Sequence, residues 1–156
     1  MKGFSIKTEI QEYDTFEQFA NDAEIGKNDL VLCGEHTFDK YIAPLNTGVQ
    51  TLFREKYGKG EPTDGMVDAI LNELRDKTYD RIIAVGGGTV IDIAKVVAVA
   101  GKDDTVDELY DKVGSLNKVH PLIIVPTTCG TGSEVTNISV INRVSKGVKM
   151  GLADPA

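Results

Sequence analysis

The chain has 156 residues, a formal net charge of −7, and is 41% apolar and 26% charged. That is enough for one compact domain of ordinary globular composition, and it excludes a disordered chain. The acidic balance and the lack of any Lys/Arg cluster argue against nucleic acid or an anionic membrane as partner. No apolar run approaches the roughly 18 residues of a transmembrane helix, and MKGFSIKTEI lacks the apolar core of a signal peptide. Cys33 and Cys129 are isolated and form no metal set with His36 and His120 at a ligand spacing, so a reducing cytoplasm is the expected location.

Taken in order, Phe4 to Ile10 alternates as an edge strand would, with Phe4, Ile6 and Thr8 on one side. Asp14, paired with Glu17 three residues on, predicts a helix start, and Phe16, Phe19, Ala20 and Ala23 supply the apolar face. DLVLC (Asp29 to Cys33) reads as a buried strand ending at Gly34 and Glu35. A helix from Thr37 to Leu45 and a strand from Val49 to Phe53 follow. YGKGEPTDG must turn, Asp64 opens a helix with Val67, Ile70, Leu71 and Leu74 on one face, and that helix leads to the central stretch.

That stretch is RIIAVGGGTVIDIAKVVAVAG, Arg81 to Gly101. Ile82 to Val85 has the unbroken apolar character of a strand buried on both faces of a parallel sheet. Gly86, Gly87 and Gly88 are expected to turn through positive φ and to bring bare N–H groups close to a ligand. Val90, Ile93, Ala94, Val97 and Ala100 then repeat at helical spacing, with Gly101 as the expected C-cap. A strand, a glycine turn and a helix N-terminus make an anion site, because unsatisfied N–H groups and the helix dipole point to one spot. The match to G-x-G-x-x-G is incomplete, since Ile91 stands where the third glycine would be, and there is no G-x-x-x-x-G-K-[ST]. Thr89 and Asp92 are equally readable as an N-cap and a first-turn acid.

Beyond Gly101, Thr105 and Glu108 form a capping box before a short helix, and LIIV (Leu122 to Val125) is a further buried strand stopped by Pro126. TTCGTGSEVT follows, and strands from Ile138 to Asn142 and Val148 to Leu152 flank VSKG as a hairpin. The alternation of strands and helices predicts a mostly parallel α/β sheet with helices on both faces. Ligands of such sheets bind off the C-terminal strand ends, where Gly34-Glu35, Gly86 to Thr89 and Thr127 to Ser133 would meet. Glu35 can accept hydrogen bonds from both ribose hydroxyls of an adenosine and repel a 2′-phosphate; its alternative is a solvated surface acid. Thr127, Thr128, Thr131 and Ser133 offer short donors, or simply turn chemistry. Cys129 has no sequence-near His and reads as an inert thiol.

GGGTVIDIAK (Gly86 to Lys95) and PTTCGTGSEVT (Pro126 to Thr136) resemble the two signature blocks of the iron-containing (group III) alcohol dehydrogenases. The likeness covers essentially the whole chain. EKYGKGEPTD and IIVPTTCGTGSEVTNIS are most similar to the 4-hydroxybutyrate dehydrogenase branch, which interconverts 4-hydroxybutyrate and succinate semialdehyde with NAD. The resemblance implies a Rossmann-like NAD-binding domain over residues 1–156, with Gly87, Gly88 and Thr89 on the pyrophosphate and Asp92 nearby. It implies Thr127 and Thr128 on the adenine and ribose side, Asn137 and Ser139 beside the nicotinamide half, and Lys149 on a ribose. Glu35 stands where the family usually has an NAD-selecting aspartate, and Glu61 where many members have asparagine.

The family's second, helical domain supplies an aspartate and three histidines to a divalent metal, Fe2+ or Zn2+. The two histidines here match none of them. The expectation is therefore a cofactor domain of a larger enzyme, binding NAD without turning over alcohol alone, with a small hydroxy acid or aldehyde as substrate of the whole. Exposed apolar surface would then favour a homo-oligomer. Two rival expectations are a glycerol dehydrogenase or dehydroquinate-synthase-like fragment, and a non-catalytic nucleotide-binding module.

Overall fold

The computed structural model describes residues 8–155. Strands β1 (Asp29–Cys33), β2 (Gln50–Phe53), β3 (Arg81–Gly86) and β4 (Leu122–Pro126) form one parallel sheet in the order β2-β1-β3-β4. Strands β5 (Ile138–Arg143) and β6 (Val148–Ala153) pair antiparallel as the expected hairpin. The chain leaves β1 toward β2 on one side and reaches β3 on the other, so the order reverses beside β1. That makes a topological switch point, with a crevice between the ends of β1 and β3.

Alternation along the strands divides the core in two. Leu30, Leu32, Leu52, Ile82 and Ala84 face α3 (Asp64–Leu74), α4 (Gly88–Val99) and α5 (Val106–Asp111), whose Val67, Ile70, Ile93, Val96 and Leu109 have no exposed surface. Val31, Cys33, Ile83 and Val85 face Phe19 of α1 (Phe16–Asp22) and Ile42. Each large side chain buried this way contributes about 1.5–3 kcal/mol. Helices thus lie on both faces, as the alternation predicts.

The sheet is closed at its N-terminal edge. Arg81 donates through Nε to Asp29 Oδ1 (2.5 Å) and through a terminal nitrogen to the Ala23 carbonyl, tying β3 to β1 and to the end of α1. At the C-terminal edge no ion pair of this kind joins the strands among the described residues, and that edge is left to the loops.

Several local expectations are corrected. Thr15 caps α1, accepting from the Gln18 N–H at 3.1 Å, in place of Asp14, because Gln18 instead reaches back to the Asp14 N–H. The segment after β1 is α2 (Glu35–Thr37), then a π turn over Phe38–Ile42 and a 3-10 turn over Ala43–Leu45. Pro44 explains the break, since it has no N–H to donate and its ring collides with the preceding turn. Ala100, extended, ends α4, while Gly101 stays out of the left-handed region and donates its N–H to Asp104. Strand β4 is half-buried because, among the described residues, it pairs on one side alone, to β3. Most of the Phe4 to Ile10 strand lies outside the described residues, and Thr8 to Ile10 is irregular.

The hairpin is fastened to the helices. Thr63 caps α3, and Asp64 behind it is buried and accepts from the N–H groups of Val144 (3.2 Å) and Ser145 (3.1 Å) and from the Ser145 hydroxyl. Burial alone would raise the Asp64 carboxyl, but these hydrogen bonds outweigh it and hold it below its usual range. Arg143 pairs with Asp107 and lies over the Tyr110 ring at 4.4 Å. No described helix is long and apolar enough to cross a membrane.

Candidate functional site

The loops leaving the strands surround a crevice of about 330 Å³. Gly34 and Thr37 come from the end of β1, Arg54 and Glu55 from the end of β2, Gly86 to Val90 from β3 and α4, and Thr127 and Thr128 from β4. The register explains the convergence: Cys33 is level with Val85, and Gly86 with Pro126, so the loops start abreast. The Thr127 N–H donates to the Gly86 carbonyl at 3.0 Å and joins two of them directly.

The glycines work by absence of a side chain. None of Gly86, Gly87 and Gly88 takes positive φ, contrary to expectation. A Cβ on Gly86 would lie 2.8 Å from Val90 Cβ, one on Gly87 2.8 Å from Thr128 Oγ1, and one on Gly88 3.3 Å from Thr131 Cγ2. The turn is needed for close approach of helix, strand and threonine loop. Gly87, not Thr89, is the N-cap of α4, and no side chain caps that terminus. Its first N–H groups therefore face the crevice with the positive end of the helix dipole and no internal acceptor.

This cradle suits a phosphate: bare donors, hydroxyls of Thr127 and Thr128 opposite, and space that a Cβ would fill. A dinucleotide pyrophosphate fits it. A nicotinamide cofactor held there would supply hydride chemistry, and the chain's residues would supply binding and orientation. For a metal the fit fails. Among the described residues no group of three or more His, Cys, Asp or Glu side chains could hold one.

Of the sequence-predicted residues, Gly87, Gly88, Thr89, Thr127 and Thr128 line the crevice. Thr131 and Ser133 pack behind them against Gly88. Glu35 stands exposed at the rim and contributes its N–H, which donates to Glu55 Oε2 at 3.3 Å. The others are placed elsewhere. Asp92 is buried between α4 and the hairpin, where Oδ2 accepts from the Val140 N–H (3.2 Å) and its carbonyl accepts from the Ser139 hydroxyl (2.8 Å). Burial pushes the Asp92 carboxyl up, against the Val140 hydrogen bond and the Lys95 ammonium 3.9 Å away. Lys95 donates to the Ile138 carbonyl at 2.8 Å, and burial lowers it. Asn137 donates to the Asp154 carbonyl, and Lys149 pairs with Glu61 at 2.7 Å on the surface.

Thr37, Arg54 and Glu55 were not singled out from the sequence. The signal was present, because Arg54 and Glu55 follow β2 directly and the rule of C-terminal strand ends applies to every strand of the sheet. Cys33, with no exposed surface, has its thiol pushed up to about 12 by burial and by the nearby Glu55 charge, whereas Cys129 is exposed on the threonine loop.

Comparison with known proteins agrees with this geometry. The chain is 45% identical over 153 residues to 4-hydroxybutyrate dehydrogenase of Clostridium kluyveri, covering 98% of this chain and 41% of that protein. It is 32% identical over 95 residues to the NAD-dependent methanol dehydrogenase of Bacillus methanolicus, covering 60% of this chain and 25% of that one. A crystal structure of an iron-containing alcohol dehydrogenase superposes with a TM-score of 0.77 at 28% identity, over 99% of this chain and 45% of the other. The chain thus spans less than half of the length of each of these relatives. The family model for iron-containing alcohol dehydrogenases matches residues 8–156, and the chain belongs to that family.

Proposed function

We propose that this chain is the NAD-binding part of an oxidoreductase that interconverts 4-hydroxybutyrate and succinate semialdehyde in the cytoplasm. The observation that carries the reading is the uncapped N-terminus of α4, opening with Gly87 and Gly88 onto the crevice between β1 and β3. Gly87, Gly88 and Thr89 hold the pyrophosphate through backbone N–H groups, and Thr127 and Thr128 close over it from the neighbouring strand. Glu35 lies at the adenosine end. Asn137 and Ser139 stand on the nicotinamide side and Lys149 serves a ribose, while Asp92, near the pyrophosphate on α4, fixes where the hairpin sits through Ser139 and Val140. A divalent metal would supply polarisation of the carbonyl, and the lack of a ligand set for it among the described residues supports a site made by other residues.

The likeness to the Clostridium kluyveri enzyme supports the substrate, and the uncapped terminus with its glycines supports the cofactor. The test is a fluorescence and calorimetric titration of the purified chain with NADH and NADPH. Saturable NADH binding, weaker for NADPH and lost in Gly88→Val, is the expected result. Absence of binding to a folded chain overturns the reading. Metal-dependent oxidation of 4-hydroxybutyrate by the chain alone would overturn the placement of the metal.

A further inference from the structure

Two carboxylates stand at the ribose end of the crevice, and they are not equivalent. Glu35, at the rim, offers its backbone N–H inward, and its side chain is not among the groups lining the crevice. Glu55, from the end of β2, does line it. Its Oε2 is held by the Glu35 N–H at 3.3 Å, and its Oε1 lies 2.6 Å from where a Cβ on Gly34 would be. Glycine at position 34 is what admits this carboxylate over the end of β1. We infer that Glu55 is a specificity-determining residue of the crevice: its carboxylate, more than that of Glu35, binds the adenosine ribose hydroxyls and rejects a ribose bearing a 2′-phosphate. The inference rests on the dinucleotide reading above.

The chemistry follows from the donor inventory. An ionised carboxylate accepts only, with about four lone-pair sites, and the Glu35 N–H occupies one. The remainder suit the two adjacent hydroxyls of an unmodified ribose. A 2′-phosphate there would bring like charges into contact. The Glu55 charge is felt at the end of β1, where it adds to burial in pushing the Cys33 thiol up. Arg54 sharpens the argument. It lines the same wall; one terminal nitrogen of its guanidinium donates to the Gly60 carbonyl, and its Nε is buried with no partner among the described residues. With Glu55 neutralised, Arg54 remains to attract the phosphate.

The experiment compares NADH and NADPH dissociation constants for the wild type, Glu55→Gln, Glu35→Gln and Gly34→Ala. Glu55 is exposed, so the isosteric Gln leaves the fold intact, and a thermal melt checks this. Glu55→Gln is expected to weaken NADH and tighten NADPH, reducing their discrimination about tenfold or more. Gly34→Ala is expected to act in the same direction, because its Cβ displaces the Glu55 carboxylate, a flexible end that moves at little cost in stability. Glu35→Gln changes the ratio less. Unchanged discrimination in Glu55→Gln, or a loss confined to Glu35→Gln, refutes the inference while the dinucleotide site stands. Failure of the folded wild type to bind either cofactor removes the site itself and this inference with it.

Discussion

Ser139 donates its hydroxyl to the Asp92 carbonyl at 2.8 Å, and the next residue, Val140, donates its N–H to the Asp92 carboxylate at 3.2 Å. One residue of α4 therefore holds two successive residues of the hairpin, in a junction where both Asp92 and Ser139 are buried. The same helix presents its N-terminus to the crevice, with Gly88 only four residues, about one turn, before Asp92, so hairpin position and cradle are mechanically linked.

Ser139→Ala is expected to cost about 1 kcal/mol of stability, since the Asp92 carbonyl keeps its helical partner. Asp92→Ala is expected to cost about 1–3 kcal/mol, because the Val140 N–H loses its acceptor and half-buried Lys95 loses its counter-charge. Urea unfolding of both single variants and the double variant checks this. The double variant should fall short of the sum, as both changes undo one junction.

Gly86→Ala and Gly87→Ala should separate stability from binding. At Gly86 the new Cβ meets Val90 Cβ, which is fixed to the helix backbone, so strand and helix must part at about 1–3 kcal/mol. At Gly87 it meets the Thr128 hydroxyl, which can rotate aside, so the fold is kept while NADH binding weakens. Thermal melts paired with NADH titrations read the two effects. Equal losses of stability in both variants would contradict the distinction.

Acid sensitivity should depend on Glu73. Hydrogen bonds from Lys56 and Tyr57, with Lys77 adding to them, lower its carboxyl from 4.5 to about 2. A carboxylate with a depressed folded-state value stabilises the fold fully above its unfolded value, and that contribution is lost as pH falls through the folded one. Stability should therefore decline between about pH 4.5 and 2, and Glu73→Gln should flatten the decline. Added salt should weaken the effect, because Lys56 is largely exposed. Unfolding midpoints measured across this range decide it.

The two cysteines should differ in reactivity. At pH 8 a thiol reagent is expected to modify Cys129 alone in the native protein and Cys33 as well after denaturation, since Cys33 is fully buried with its thiol near 12. Two reactive thiols in the native protein would show that the β1 end opens.

Much of the site was readable before the fold. The apolar run Ile82 to Val85 followed by three glycines states a buried strand meeting a helix start, because strand and helix periods are set by neighbours within a few residues. The hairpin and the Thr105–Glu108 capping box were legible for the same reason, and both are present. Alternation of strands and helices was enough to place the Gly86 and Thr127 loops at one edge.

Relations between distant residues were settled by the tertiary structure. Position in the sequence marked Glu35 as the ribose acid, yet Glu55, 20 residues later, lines the crevice, because β2 lies beside β1 in register. Asp92 and Ser139 stand far apart in sequence with separate expected roles, and packing of the hairpin on α4 joined them, with Lys95 beside them. Even the glycines changed meaning: their sequence suggested unusual φ, while the reason for them is the nearness of Val90, Thr128 and Thr131. Local pattern dictates which element forms, but which side chains meet depends on strand order and register, and these are decided by burying both faces of the sheet at once.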